Sequence, residues 1–314
     1  MKKLLSLLLA LMLTLSLALM LCACSNETPN GDDTVDNGTG STNDELIEDV
    51  LKDTFELDFT LSDSGTYYII TGFGMNYTNP NIVIPSTYND LPVREIRARA
   101  FTANISKSLM ESIVIPSSIE KIGDFAFSEC DKLKTVTMNA GLTHIGEGAF
   151  RKCAIETVIV PDTVTYIGDY AFSECSSLKS VTLSSSLSHL GKNPFRACGK
   201  IIGNGATAFE GAYTVPTSDG KCWVVSSVAS KATDTTNINL PDNTVGIAAD
   251  AFDRSRGLVS IDIPKSVKYI GESAFSENAN LASVVYGGVG SEWIVISIGD
   301  DNFPLLEADK TYGG

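Results

Sequence analysis

The chain has 314 residues, 43% of them hydrophobic and 8% aromatic, enough apolar content for one or two packed cores, which excludes wholesale disorder. Its 23 Lys and Arg stand against 38 Asp and Glu, a net charge of −15. Such an excess repels phosphate backbones and anionic head groups, and weighs against nucleic acid and against electrostatic binding to membranes.

Residues 1–23 open with Lys2 and Lys3 and continue, over residues 4–21, as an apolar run broken only by Ser6, Thr14 and Ser16. A basic start before such a run is a secretory signal. About 20 apolar residues also suffice to span a bilayer, so an uncleaved anchor and a plain secreted product are the alternatives. The ending Leu21-Cys22-Ala23-Cys24-Ser25 resembles the lipobox of bacterial lipoproteins, where a small residue precedes a cysteine that is lipidated on sulfur and becomes the new N-terminus. The resemblance implies Cys24 as lipid anchor, since Ala23 is small; bulky Leu21 makes Cys22 a poorer match. Several acyl chains on one residue hold a protein durably where one is marginal. The expectation is an exported protein facing the cell exterior, touching the membrane through its N-terminal lipid only. Residues 24–44 then carry Ser, Asn, Thr, Gly and five acids with Val35 as the sole aliphatic residue, a flexible acidic tether reaching roughly 25 Å.

Beyond residue 95 a repeat of 22 or 23 residues takes over. Ile122-Gly123, Ile145-Gly146, Ile167-Gly168 and Leu190-Gly191 are each followed, four residues after the Gly, by Phe127, Phe150, Phe172 or Phe195. Phe101, Phe252 and Phe275 extend the series to seven. Between them lie runs of period two at 110–115, 133–138, 155–160, 178–183, 258–263 and 281–286, each read as a strand. A unit of strand, Ile-Gly and tight Ala-Phe turn cannot bury its own apolar face, whereas stacked units share one core. Phe195 to Phe252 spans 57 residues, so residues 199–235 hold an irregular insertion. Its runs 212–215 and 222–227 flank Pro216-Thr217-Ser218-Asp219-Gly220, a hairpin turning at Asp-Gly. Neutral drift and a ligand-contacting loop are both open readings of it.

The pattern L-x-x-V-x-I-P-x-S-V-x-x-I-G-x-x-A-F-x-x-C, followed with small departures from Leu133 to Cys153 and from Ile155 to Cys175, resembles the BspA-type leucine-rich repeats of bacterial surface proteins. The resemblance covers residue 55 to the C-terminus. It implies an α/β repeat solenoid, a right-handed leucine-rich repeat stack with one parallel sheet and short helical or 3-10 turns on the opposite side. Residues 45–95 resemble the family's N-terminal cap and first strand region, residues 96–286 its repeats, and residues 287–314 its C-terminal cap. Attachment to host or matrix proteins, or to other cells, is the role it implies, without any transferable site residue.

Four of the seven cysteines, Cys130, Cys153, Cys175 and Cys198, stand three residues after the module Phe, a place taken elsewhere by Asn104, Ser255 and Asn278. A column of Cys, Asn and Ser reads as small polar groups satisfying backbone atoms at the turn. Disulfides between rungs and a thiolate metal cluster are the rival readings, and no C-x-x-C convergence supports a cluster. His144 and His189 share the slot before the Ile-Gly pair with Glu95, Lys121, Tyr166 and Tyr269. That mixture marks a solvated or edge position, and two repeats of separation, with Tyr166 between, exceed what one metal ion can bridge. No nucleophile elbow, phosphate loop or dinucleotide fingerprint occurs. Neither catalysis, cofactor nor metal is expected.

Alternation turns Ile113, Val136, Val158, Val181, Ile238, Ile261 and Val284 inward. The opposite face then presents Thr135, Thr137, Thr157, Ile159, Ser180, Thr182, Asn237, Asn239, Ser260 and Asp262. Small, mostly uncharged side chains suit either a solvated sheet of good strand formers or a broad shallow docking surface. Without aromatic platforms there, a protein ligand is favoured over a sugar. The expected function is a cell-surface lipoprotein that binds proteins; an envelope-associated hydrolase and a structural envelope scaffold are the alternatives.

Overall fold

The computed structural model describes residues 57–74, 77–102, 108–198, 207–209, 212–227 and 236–313. The signal segment, Cys22 and Cys24, the tether and Asn104 lie outside the described residues. Period-two patterning sets the first ladder. In Ser112–Ile115, Ile113 and Ile115 are buried while Ser112 and Val114 are half-buried. Within each of three groups such strands pair in parallel and in register with the counterpart one coil on: Ser112 with Thr135, Thr157 with Ser180, Asn237 with Ser260 and then Ser283. These strands form a solenoid of leucine-rich repeats.

The parallel pairing is not confined to one sheet. The Ile-Gly segments are themselves strands, Leu91–Ile96, Lys121–Ile122, His144–Ile145, Tyr166–Ile167 and His189–Leu190, joined in that order. The ladder resumes with Cys222–Ser227, Thr244–Ile247, Tyr269–Ile270 and Ser297–Ile298. Two residues per strand suffice because each is clamped on both sides: Gly146 N–H donates to Ile122 O at 2.9 Å and Gly168 N–H to Ile145 O at 2.8 Å.

The short helical or 3-10 turns expected opposite the strands are not confirmed as helices: single turns stand there. The only α-helices among the described residues are Gly290–Trp293 and Phe303–Glu307, both near the C-terminus. At the Ala-Phe corner the backbone alternates its partners. Ala149, Arg151 and Cys153 donate three residues back to Gly146, Gly148 and Phe150, whereas Gly148, Phe150 and Lys152 donate to Asp169, Ala171 and Ser173 of the next coil. A helix cannot do this, since all its amides point along one axis. Phe125 and Glu129, Gly148 and Lys152, Tyr170 and Glu174, Asn193 and Ala197, Asp250 and Arg254, and Ser273 and Glu277 take φ between +46° and +64°. Two left-handed residues per coil break any helix and aim alternate amides at the neighbour.

Inside, the module phenylalanines stack. Phe101, Phe127, Phe150, Phe172 and Phe195 follow one another with centroids 4.9, 5.1, 5.3 and 5.7 Å apart, and Phe252 meets Phe275 at 5.0 Å, close to the spacing of paired strands. The buried Ile122, Ile145 and Ile167 column and the inward face residues complete the core. At the N-terminal end the antiparallel pair Leu57–Leu61 and Tyr68–Phe73 closes it, with Phe73 and Tyr77 packed toward Phe101. The hairpin of Ala212–Pro216 with Cys222–Ser227 is present, with Gly220 at φ +80°. Its second strand pairs in parallel with Thr244–Ile247.

Candidate binding face and aromatic column

The inward residues behave as the alternation requires: Ile113, Val158, Val181, Ile238, Ile261 and Val284 are buried and Val136 is half-buried. Of the outward candidates, Thr135, Thr137, Thr157, Ile159, Ser180, Asn237 and Asn239 are exposed, while Thr182, Ser260 and Asp262 are half-buried. They do not share one unbroken ladder. Thr135 and Thr137 belong with Asn81–Val83 and Ser112–Ile115; Thr157, Ile159, Ser180 and Thr182 form a pair of strands; Asn237, Asn239, Ser260 and Asp262 lie in a third group. The insertion separates the second group from the third, since Leu183 bridges to Thr217 and donates to Pro216 O.

Part of this face is satisfied internally: Ser112 Oγ donates to Asn81 Oδ1 and Ser260 Oγ to Asn237 Oδ1, both at 2.7 Å. One outward row is more apolar than the sequence suggested. Val83, Val114 and Thr137 are in register, Ile159 pairs with Thr182, and Val83 and Ile159 are 59% and 66% exposed. Val83 escaped notice because the segment around it reads as cap. Charge is displaced to the flanks, where Lys134 faces Glu111, and Lys179 pairs with Glu156, from coil to coil.

The cysteine column is internal. Cys153, Cys175 and Cys198 donate to Phe127 O, Phe150 O and Phe172 O, each at 3.1 Å, and Asn278 Nδ2 to Phe252 O at 2.8 Å. Cys130, Cys153, Cys175, Cys198 and Cys222 are free thiols. Burial pushes the Cys153 thiol well up; contact with Cys198 and then burial raise Cys175.

His144 and His189 are paired strand residues, His144 in the interior of its sheet and His189 on its last strand. They sit within the second ladder, half-buried, with the Tyr166 ring stacked between them at 4.1 and 4.3 Å and interplanar angles of 3° and 2°. Burial, the leading cause for both, holds each imidazole below its ordinary pKa. Across the insertion Trp223 continues the row, its ring over Gly246 and parallel to Tyr269 at 5.9 Å. Among the described residues no three His, Cys, Asp or Glu side chains converge where a metal ion could sit.

This coil geometry agrees with a family match. The model of the BspA type leucine rich repeat region matches residues 94–204 and 225–303 in six copies. The chain belongs to that family. Three bacterial proteins of known structure are similar to it. A leucine-rich repeat protein from Bacteroides ovatus is 24% identical over 74% of this chain and 70% of its own, with TM-score 0.39. A leucine rich cell surface protein from Faecalibacterium prausnitzii is 20% identical over 77% and 96%, TM-score 0.36. The pneumococcal vaccine antigen PcpA is 21% identical over 73% and 68%, TM-score 0.40. No curated protein matches this BspA-type chain.

Proposed function

We propose that this BspA-type chain is an exported, non-catalytic lipoprotein, anchored through Cys24, whose solenoid binds proteins at the cell exterior in adhesion to host or matrix proteins or to other cells. The observation that carries the reading is the strip of Thr135, Thr157, Ser180, Thr137 and Ile159: exposed, uncharged and partly aliphatic in a chain of net charge −15. Depletion of charge is what distinguishes the centre of protein interfaces, and parallel strands hold these side chains on a rigid lattice that loses little entropy on docking. The acidic balance supports membrane contact through lipid alone and no nucleic acid partner. Among the described residues no helix is long and apolar enough to cross a membrane.

The test is capture of immobilised matrix proteins and intact cells by the purified exterior domain, against a variant carrying Thr135→Lys, Thr157→Lys and Thr182→Lys. Loss of capture with an unchanged melting temperature supports the reading. Equal capture by the variant clears this face, and turnover of a peptide or glycan that one substitution abolishes would favour the hydrolase instead. Mass spectrometry of the mature N-terminus tests the anchor: an unmodified cysteine, or a terminus far from residue 24, overturns it.

A further inference from the structure

Exposed apolar side chains gather in the coil that follows Ser283–Tyr286. Ile294, Val295 and Phe303 are 78%, 77% and 64% exposed, and Leu306 and Tyr312 are exposed beside them in sequence. Repeat stacks ordinarily close on a coil with a polar outer face, so this coil is finished for contact and not for water. Its strand Asp309–Tyr312 pairs in parallel with Ser283–Tyr286 and is the terminal member of its sheet. Asp309 N–H and Gly313 N–H donate inward, to Ala282 O at 3.0 Å and Tyr286 O at 2.8 Å. Alternate residues of a strand turn the other way, so Lys310 and Tyr312 aim N–H and C=O at the open edge. Charged side chains or proline usually blunt such an edge. Lys310 does not serve here, because its Nζ folds back onto Leu306 O at 2.6 Å and Ala308 O at 3.1 Å, 5.9 Å from the centre of the Trp293 ring.

We propose that a second copy of this chain occupies this edge, the two strands running antiparallel about a twofold axis at Thr311. The outward hydrogen-bonding groups set that register. Lys310 of each copy lies opposite Tyr312 of the other, exchanging N–H to O bonds in both directions, and Thr311 faces its own counterpart in the closely spaced pair between them. Threonine opposite threonine is a favourable cross-strand pair, and Lys310 meets no like charge. A twofold axis at Lys310 would satisfy the same backbone groups but would set one lysine against the other. The strand carries one acid and one base, a locally neutral place for two copies of net charge −15 to meet. An unrelated strand could use the backbone groups as well, but only a copy brings the complement that the edge already contains about Thr311. Head-to-tail addition through the other end of the stack leaves an open edge on the last molecule, whereas a twofold contact closes both edges and covers the same apolar coil on both copies. The contact uses a strand edge and does not depend on the protein-binding strip.

Sedimentation equilibrium is run on the chain from Ser25 onward, which holds the whole described core, in about 0.3 M NaCl, where the exposed Glu292 and Glu307 of facing copies are screened. A monomer–dimer equilibrium in the roughly micromolar range is expected. Thr311→Lys and Thr311→Glu should each weaken it by about tenfold or more, with unchanged melting at concentrations where the unsubstituted protein is monomeric. Mixing the two variants should restore the dimer, because lysine then faces glutamate. Thr311→Cys gives an independent reading should either variant fail to fold. Closely spaced antiparallel pairs lie within disulfide reach, so mild oxidation should yield a covalent dimer that a reductant reverses, while the five buried thiols stay out of reach. A protein that stays monomeric to about 200 µM, assembly that runs past the dimer, a dimer indifferent to Thr311→Lys, or charge variants that fail to rescue each other overturns the proposal.

Discussion

The Cys153 thiol reaches one coil back to the carbonyl oxygen of Phe127, 3.1 Å away, and Asn278 makes the corresponding contact with Phe252 O at 2.8 Å through an amide. Two unlike side chains thus answer the same backbone acceptor at the same place in the coil, whereas Ser255 in that column keeps its buried Oγ without a hydrogen-bond partner.

Cys153→Ala should therefore lower stability by about 0.5–1.5 kcal/mol, because it removes one of two donors to Phe127 O, which keeps the N–H of Cys130. Cys153→Ser, which retains a donor, should cost less. Urea midpoints of the two variants decide this, and equal costs would reduce the column to packing. The same geometry predicts that iodoacetamide leaves Cys153 untouched until denaturant is added, since the buried thiol is held protonated and only the thiolate reacts.

Ala197 stands exposed at φ +59° at the corner after Phe195. A left-handed conformation costs an L-residue about 1–2 kcal/mol that glycine avoids, against a smaller entropic penalty for glycine itself. Ala197→Gly should stabilise the protein by about 0.5–1 kcal/mol. Were this corner the helical turn that the repeat resemblance suggested, the same change would destabilise by about 1 kcal/mol, so the sign of the shift in melting temperature separates the two backbones.

The parts that recur at every coil were readable from residues alone: the stacked phenylalanines, the Cys/Asn/Ser column, and the inward Ile113, Val158 and Val181. Each occupies a fixed place in a 22- or 23-residue period, and repetition multiplies a weak signal. Two features escaped. Strands such as Tyr166–Ile167 are two residues long, too short for period-two alternation to register, so the second ladder was folded into the turn and its His and Tyr rings read as solvated. The left-handed positions carry Phe125, Glu129, Lys152, Tyr170 and Ala197, residues with no common chemistry, because neighbouring coils and not side-chain preference hold them there. Trp223 occurs once, in the aperiodic insertion, and only the fold places it beside His189.

Gly168 shows how tightly coils approach. A Cβ there would lie 2.6 Å from Glu147 N, a backbone atom that cannot swing aside. Gly168→Ala should cost about 3 kcal/mol, the upper part of the range for overpacking, and lower the urea midpoint sharply. Ala248 fills the equivalent place where the preceding segment is still the strand Cys222–Ser227, and donates to Val224 O at 2.8 Å. Ala248→Gly should accordingly cost no more than about 1 kcal/mol. Comparable effects at both sites would mean that spacing between coils is not what the glycine secures.

The imidazole stack makes stability depend on pH in a definite direction. Desolvation dominates at His144 and His189 and favours the neutral form; Lys121 reinforces this at His144, while Asp124 opposes it there and Asp169 and Glu272 oppose it at His189. Both folded pKa values lie below the ordinary 6.5, so near pH 6 the unfolded chain binds more protons than the folded one. Stability must rise with pH in that window. Their neutral-form contribution is complete above about pH 7.5 and is lost as the pH falls through 6.5 toward the depressed folded values. Urea midpoints measured from pH 8 to pH 5 should decline, and the double variant His144→Gln, His189→Gln should flatten the slope between pH 7 and 5.5. A slope that survives both substitutions would assign the effect to carboxylates, whereas a midpoint rising on acidification would mean that imidazolium stacked on Tyr166 is favoured over the neutral ring.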